Sequence, residues 1–349
     1  MKSLKDITVL ITAAGNVFMP GTTSCIKNNN ERNIRLIGAD MNDDKTMLEM
    51  VDAYYPVPRG DDPNYVDVLL DICKKENVDV VLPIMSVELN ALAENRMKFE
   101  AIGTKVSVSD VEQLEIANDK CKLFNFMKDN NIPCAKYVEV HSLCELEEKV
   151  KEFGYPENPV CIKATNGSGS RGFRIIDESK SKFDMFMHDK PTSCYITLDE
   201  LKSIFKGVDA FPDLMIMEYL PGQEYTVDLL ADNGKTIYNC CRKSLNMENS
   251  IMLDGMVVDN KDVKNLCALV TEKLNLDGNI GFDVKERADG TPVIMECNPR
   301  ITAGIPVFAI AGVNLPYLNI KRILGEELPE VVENTGLIVK RRWKEMYCH

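Results

Sequence analysis

With 349 residues, 45% of them hydrophobic and 27% charged, the chain is long enough for two or three domains and ordinary in composition for a soluble globular enzyme. A net charge of −13 argues against a nucleic-acid surface. No run approaches the roughly 20 apolar residues of a membrane span, and the start MKSLKDITVL lacks an export leader's apolar core.

The 12 cysteines form no CxxC pair and read as reduced, mostly buried thiols of a cytoplasmic protein. Three scattered histidines, His141, His188 and His349, weaken any zinc site or Ser-His-Asp triad.

The apolar, β-branched run Ile7 to Thr12 is followed by a loop and a second run, Ile34 to Ala39, which predicts β-loop-α-β. The connecting AAGNVFMPG lacks the G-x-G-x-x-G spacing, so a nicotinamide-dependent oxidoreductase has only this α/β pattern to rest on. Helical periodicity over Tyr65 to Glu76, a buried strand at Val78 to Leu82 and a helix over Val87 to Phe99 continue the alternation, with Ser86 as a helix cap. After a short strand at Lys105 to Val108, Ser109 and Glu112 have capping-box spacing. The expectation is an α/β domain of five strands over residues 1–115.

A second region begins at Asp119-Lys120, which leads an amphipathic helix ending before Pro133. A lysine at a helix start opposes the dipole preference and gives Lys120 a reason to meet an anion. In PVCIKATNGSGSRGFRII two strands enclose Gly167, Ser168, Gly169, Arg171 and Gly172; glycines let amides approach phosphate oxygens, and Lys163 and Arg171 add charge. A plain Gly-Ser hairpin loop is the competing reading. Residues 177–212 carry little beyond a short helix from Leu198 to Phe205. DLMIMEYLPGQEYTVDLL then reads as strand, type II turn at Pro221-Gly222, and strand with Glu224, Thr226 and Asp228 on one face. Backbone at Glu218, Tyr219 and Leu220 can read an adenine edge and Glu224 can accept from ribose hydroxyls, although core packing explains the apolar residues equally well. Arg242 and Lys243 fall on a further strand.

GFDVKERADGTPVIMECNPR reads as a hairpin. If Asp289-Gly290 is its two-residue loop, Asp283 lies opposite Glu296, with Asn298 on the same face. Opposed carboxylates roughly 5 Å apart need a compensating cation, and oxygen ligands suit Mg2+, with Mn2+ able to take the same place. Arg300 two residues on completes a magnesium-phosphate constellation.

Taken in order, Asp119-Lys120, IKATNGSGSRG, MEYLPGQEYTVD and ECNPR resemble the ATP-grasp superfamily, nearest the branch of the carbamoyl phosphate synthetase large subunit and biotin carboxylase. The resemblance implies an α/β chain, α+β in its second region: a Rossmann-like pre-ATP-grasp domain over 1–115, a two-lobed ATP-grasp fold over 116–330 with a lid subdomain at about 134–214, and a tail at 331–349. It implies that Lys120 and Lys163 contact ATP phosphates and that Asp283, Glu296 and Asn298 hold Mg2+. Arg300 would stabilise the transferring phosphate or acyl product, with Arg242 in a phosphate or substrate role. The implied activity is a carboxylate–amine ligase working through an acylphosphate and releasing ADP and phosphate; the rival is an ATP-binding regulatory or assembly module without turnover. Expected partners are small carboxylate and amine substrates, with no nucleic acid or membrane, and a homodimer is compatible with this. The loop Ala14-Gly15-Asn16 and the segment Thr302-Ala303-Gly304 depart from the family's glycine-richer pattern, so the substrate does not carry over.

Overall fold

The computed structural model describes residues 4–165, 172–189, 193–248 and 251–342. Three sheets organise them. The first is fully parallel, in the order β3-β2-β1-β4-β5, from β1 (Ile7–Ile11), β2 (Ile34–Asp40), β3 (Ala53–Pro56), β4 (Val80–Leu82) and β5 (Lys105–Val106). Its strands are nearly continuous apolar runs because helices cover both faces. The third strand, AYYP, had no assignable pattern in the sequence. The expected helix over Val87 to Phe99 is two, Ser86–Glu94 and Arg96–Glu100, with a break at Asn95. Ser109 builds no capping box: its hydroxyl donates to the Asp277 carbonyl (3.1 Å) and accepts from the Asp277 amide (2.9 Å), and Asp110 takes the N-cap position. That bond ties the first domain to the rest of the chain.

The second sheet, β6-β10-β7-β8-β9, is built from β6 (Tyr137–Val140), β7 (Val160–Ala164), β8 (Arg174–Ile176), β9 (Tyr195–Ile196) and β10 (Leu214–Glu218). The helices Leu143–Glu152 and Leu198–Phe205 pack on it around Val160, Ile162, Leu146 and Leu201.

The third sheet is antiparallel, in the order β15-β14-β11-β12-β13-β16: β11 (Glu224–Asp232), β12 (Lys235–Glu248), β13 (Ile251–Val258), β14 (Gly278–Glu286), β15 (Pro292–Asn298) and β16 (Ile338–Lys340). Residues 338–340 of the C-terminal tail thus form its edge against β13. Strand alternation gives this sheet two unlike faces. Val227, Cys241, Phe282 and Cys297 lie across from one another and enter the core with the helices Lys120–Asp129 and Lys261–Lys273. The intervening positions face the other way and carry the charged groups described next.

Two local details differ from expectation. The β14–β15 loop has three residues, not two: Arg287 donates to the Thr291 carbonyl (2.9 Å), the Gly290 amide donates to the Arg287 carbonyl (3.0 Å), and Gly290 sits at φ +85°. A three-residue loop with glycine in the left-handed position is the next most common hairpin solution. It would place Met295 opposite Asp283, but a bulge between Asp283 and Val284 restores Glu296 to that position. Pro221-Gly222 is not a type II turn, because Gly222 is absent from the residues at positive φ. Its missing side chain instead admits Glu286, whose backbone oxygen would lie 2.6 Å from an added Cβ, and the Gly222 amide donates to that oxygen at 3.0 Å.

Candidate active site

Five strands contribute one residue each to a row across the third sheet: Val257, Arg242, Thr226, Asp283 and Glu296. One step along, Asp228, Gly281 and Asn298 form a parallel row on the same face. The carboxylates of Asp283 and Glu296 are therefore neighbours by register, as the hairpin arithmetic required, although through a different turn. Thr226 donates to Asp283 Oδ1 at 3.3 Å.

Above the row stand two lysines from different elements. Lys120 opens the helix Lys120–Asp129, whose N-cap Asp119 accepts from the Lys122 amide, and its Nζ is 3.5 Å from Glu296 Oε2. Lys163 on β7 reaches the same oxygen at 3.8 Å. Burial, with Lys120 beside it, pulls the Lys163 ammonium below its usual range, while Glu296 and Asp283 oppose the shift. Asp283 is pushed the other way, up to about 7, first by burial and then by repulsion from Glu296 and Glu224. At Asp283 burial and the neighbouring carboxylates thus outweigh the opposing charge of Arg242.

That imbalance is the test of whether a divalent cation fits. Among the described residues no three His, Cys, Asp or Glu side chains converge as a ready-made metal cage. Mg2+ needs none: it keeps several waters and takes one or two carboxylates together with substrate phosphates. Asp283 and Glu296 supply those carboxylates and the lysines face the place phosphates would take, so the residues fit the group. Asn298 is less free than expected, because its Oδ1 accepts from Arg300 Nη2 at 2.9 Å.

Arg300 leaves the sheet after Pro299 and is held by three acceptors: Asn298 Oδ1, the Ile301 carbonyl (3.0 Å) and Ser86 Oγ (3.3 Å). Ser86, read from sequence as a cap, instead sits at the first helical position and brings the parallel-sheet domain to the site. Burial works against the charge of Arg300, while Glu296 and Asp283 favour it; a guanidinium in this setting stays protonated. Arg242 is buried, with Nη1 on the Met252 sulfur (2.7 Å) and Nε without an acceptor.

The adenine-side residues behave differently. Glu218 is structural in its side chain: it pairs with Arg287 at 2.7 Å and accepts from the Lys136 amide, while its own amide donates to the Lys136 carbonyl. Arg287 also donates to the Cys134 carbonyl, so this pair fastens β10 to the hairpin. Leu220 is buried in the core, Tyr219 has Lys285 Nζ 6.0 Å from its ring centroid, and Glu224 lies across from Lys285 at the partly exposed end of β11. Gly167, Ser168, Gly169 and Arg171 lie outside the described residues. Gly172 is described: at φ +72° it passes so close to β7 that an added Cβ would lie 2.9 Å from that of Ala164, which explains the glycine without a phosphate.

Asp228 was on the correct strand face in the sequence but was not singled out. It is fully buried, accepts from Thr302 at 2.6 Å through one oxygen, leaves the other without a partner, and has its carboxyl raised by burial. Gly281 opposite it leaves the room: an added Cβ would lie 2.1 Å from Thr302. The period-two pattern Glu224-Thr226-Asp228 was the available signal.

An antiparallel sheet carrying an acidic row, capped by a lysine-bearing second sheet and preceded by a parallel α/β domain, defines the ATP-grasp fold. Residues 210–345 match the family model described as ATP-grasp in the biosynthetic pathway with Ter operon, and residues 9–107 match the PylC-like N-terminal domain. The carbamoyl phosphate synthase large chain of Clostridium acetobutylicum is 24% identical over 277 residues, 76% of this chain and 24% of that protein. A carbamoyl-phosphate synthase of Methanobrevibacter smithii is 23% identical over 211 residues, 59% of this chain and 48% of that one. The chain therefore spans between a quarter and a half of these relatives' length. Among solved structures, an ADP complex of N5-carboxyaminoimidazole ribonucleotide synthetase aligns with a TM-score of 0.67 at 16% identity, over 97% of this chain and 82% of that one. Biotin carboxylase of Campylobacter jejuni aligns at 0.66 and 17%, over 93% and 73%. No helix among the described residues is long and apolar enough to cross a membrane.

Proposed function

We propose that the chain is an ATP-dependent ligase joining a carboxylate to an amine through an acylphosphate. The observation that carries this is the convergence of Lys120 and Lys163 on Glu296, directly across from Asp283: two cations and two carboxylates from four elements, arranged for a metal-bound triphosphate. Mg2+, held by Asp283 and Glu296 with Asn298 beside them, would neutralise phosphate charge and orient the γ-phosphate. Lys120 and Lys163 bind and align the phosphate oxygens, and the backbone after Glu218 lines the adenine end.

A substrate carboxylate oxygen then attacks the γ-phosphorus as the bond to the β-phosphate oxygen breaks, and ADP leaves. The amine nitrogen attacks the acyl carbon of the mixed anhydride and phosphate departs, the amine's proton passing to phosphate or solvent. Arg300, fixed by three acceptors, stabilises charge on the transferring group, where preorganised donors contribute most. The absence of a histidine from this machinery is consistent with chemistry that depends on positioning and charge rather than on a strong base.

The test is a screen of organic acids and amines with MgATP, following ADP and phosphate and weighing the product. ADP release that needs both substrates supports the reading; AMP with pyrophosphate would overturn the mechanism. Tight ATP binding without turnover on any pair would favour a nucleotide-sensing module instead.

A further inference from the structure

A cavity of about 390 Å3 lies between the parallel-sheet domain and the edge of the third sheet, within the size range of small-molecule sites. Its walls are apolar: Phe18 and Met50 from the first domain, Leu253 from β13, Val307 and Ile310 from the helix Pro306–Ile310, and Val339 from β16. At its rim Val17 and Ile310 are 66% and 67% exposed. Aliphatic side chains gathered around a concavity, rather than scattered singly, mark a surface meant to be covered.

The polar component is one-sided. Lys340, Arg341 and Arg342 line the cavity with one acid, Glu49, and of the three Arg342 is paired with Asp254 at 3.6 Å. Arg341 stacks on Phe18, its guanidinium carbon 5.4 Å from the ring centroid, and donates to the Ala303 carbonyl, which uses one of its five N–H groups. It lies near enough to Arg242 for that charge to work against its own. Neither arginine is within ion-pair distance of a carboxylate among the described residues, although the buried Asp228 is near enough to favour the charge of Arg341 and to be favoured by Arg242, and Arg242 keeps a buried Nε without an acceptor. The two are joined through the Thr302–Gly304 segment: Arg341 bonds Ala303, and Arg242 packs so closely on Gly304 that an added Cβ would sit 1.9 Å from its Nη2. Arg242 in turn belongs to the row that carries Asp283 and Glu296. Two neighbouring guanidiniums that share one buried carboxylate, Asp228, between an apolar cavity and a phosphate-transfer row, make a seat for an anion with a hydrocarbon body.

We propose that this cavity selects the acid that is activated, and that the acid is a small carboxylate with a compact aliphatic or aromatic body, received by Arg341 with its hydrocarbon against Phe18, Val307 and Ile310. The assignment rests on the ligase reading and adds the substrate class to it.

The experiment measures binding first and turnover second. Calorimetry in the presence of MgADP compares 4-methylpentanoate, phenylacetate and benzoate with glucuronate and aspartate, using the native chain and the variants Arg341→Gln, Arg341→Lys and Ile310→Arg. The apolar acids should bind and the polar ones should not. Arg341→Gln should weaken the apolar acids by about 10-fold or more through loss of a charge-assisted bond, with partial recovery in Arg341→Lys. Ile310→Arg, at an exposed position that folding tolerates, should weaken them by a similar factor by filling the mouth. ADP affinity should not change in any variant, and in turnover the loss should appear in KM for the acid more than in kcat.

Preference for glucuronate or aspartate, no binding of any apolar acid, or unchanged affinity in both Arg341→Gln and Ile310→Arg would overturn the assignment. So would an Ile310→Arg effect confined to self-association by sedimentation. Failure of the ligase reading looks different: apolar acids bind and respond to the variants, yet no amine yields ADP.

Discussion

Asp283→Asn isolates the cost of the acidic row. The Asp283 carboxyl titrates at about 7 in the fold against 3.8 for the free group, a difference of about 3 pH units, and each unit corresponds to about 1.4 kcal/mol. A carboxyl with a raised folded-state pKa takes up more protons folded than unfolded between those two values, so stability falls as pH rises from about 4 to about 7 and levels off above that. The metal-free native chain therefore carries a penalty of at most about 4 kcal/mol at pH 8, less to the extent that the partly exposed carboxyl is solvated. Asp283→Asn removes the charge and keeps an oxygen to accept from Thr226. Without metal, the variant should equal the native chain near pH 4 and exceed it by 1 to 4 kcal/mol (about the range above) at pH 8, as read from urea unfolding followed by far-ultraviolet circular dichroism. Adding Mg2+ and ADP should stabilise the native chain and do much less for the variant, and turnover should be lost. A stability difference that is flat from pH 4 to 8 would refute the reasoning about the row, whatever happens to activity.

Glu296→Gln takes away the oxygen shared by Lys120 and Lys163 and should weaken Mg2+ dependence by at least about 10-fold while leaving ADP binding measurable by calorimetry; undiminished turnover would exclude Glu296 as a metal ligand. Arg287→Met leaves Glu218 and the Cys134 carbonyl without their partner, so the chain should lose about 1–3 kcal/mol in urea unfolding and show a raised KM for ATP with kcat little altered. Gly304→Ala must displace the buried Arg242 guanidinium, which should cost about 1–3 kcal/mol and lower the rate of ADP release.

The parts of the fold that the sequence discloses are those set by local periodicity. Tyr65–Glu76, read from its helical periodicity, and the short helix Leu198–Phe205 have the bounds expected of them. The pairing of Asp283 with Glu296, and Asn298 on the same face, was legible from the period of two over a hairpin because the longer turn and the bulge, neither foreseen, cancel in register. What escaped depends on partners distant in the chain. Ser109 has the right spacing for a cap, but Asp277, 168 residues away, offers its hydroxyl two bonds at once. Ser86 serves Arg300 across 214 residues, and Gly222 is glycine because of Glu286, not because of its own turn. Glu218 shows the same limit: nothing near it in sequence announces that Arg287 will occupy its carboxylate. Arg341 had no motif at all, being a terminal arginine whose meaning comes only from Phe18 and Ala303.

The bulge beside Met295 has a consequence for how this hairpin can change length. Turn and bulge each contribute one unit of offset to the numbering that sets Glu296 against Asp283. A single deletion in Ala288 to Gly290 shortens the turn to a two-residue loop closed by the same Arg287–Thr291 pair and leaves Glu296 opposite Asp283, and deletion of Met295 removes the bulge with the same result; flattening the bulge without a deletion is what would turn Glu296 and Asn298 to the apolar face. Single deletions should therefore be tolerated either at the turn or at Met295, and an alignment of related hairpins has to permit a gap at both places to locate the acidic residue.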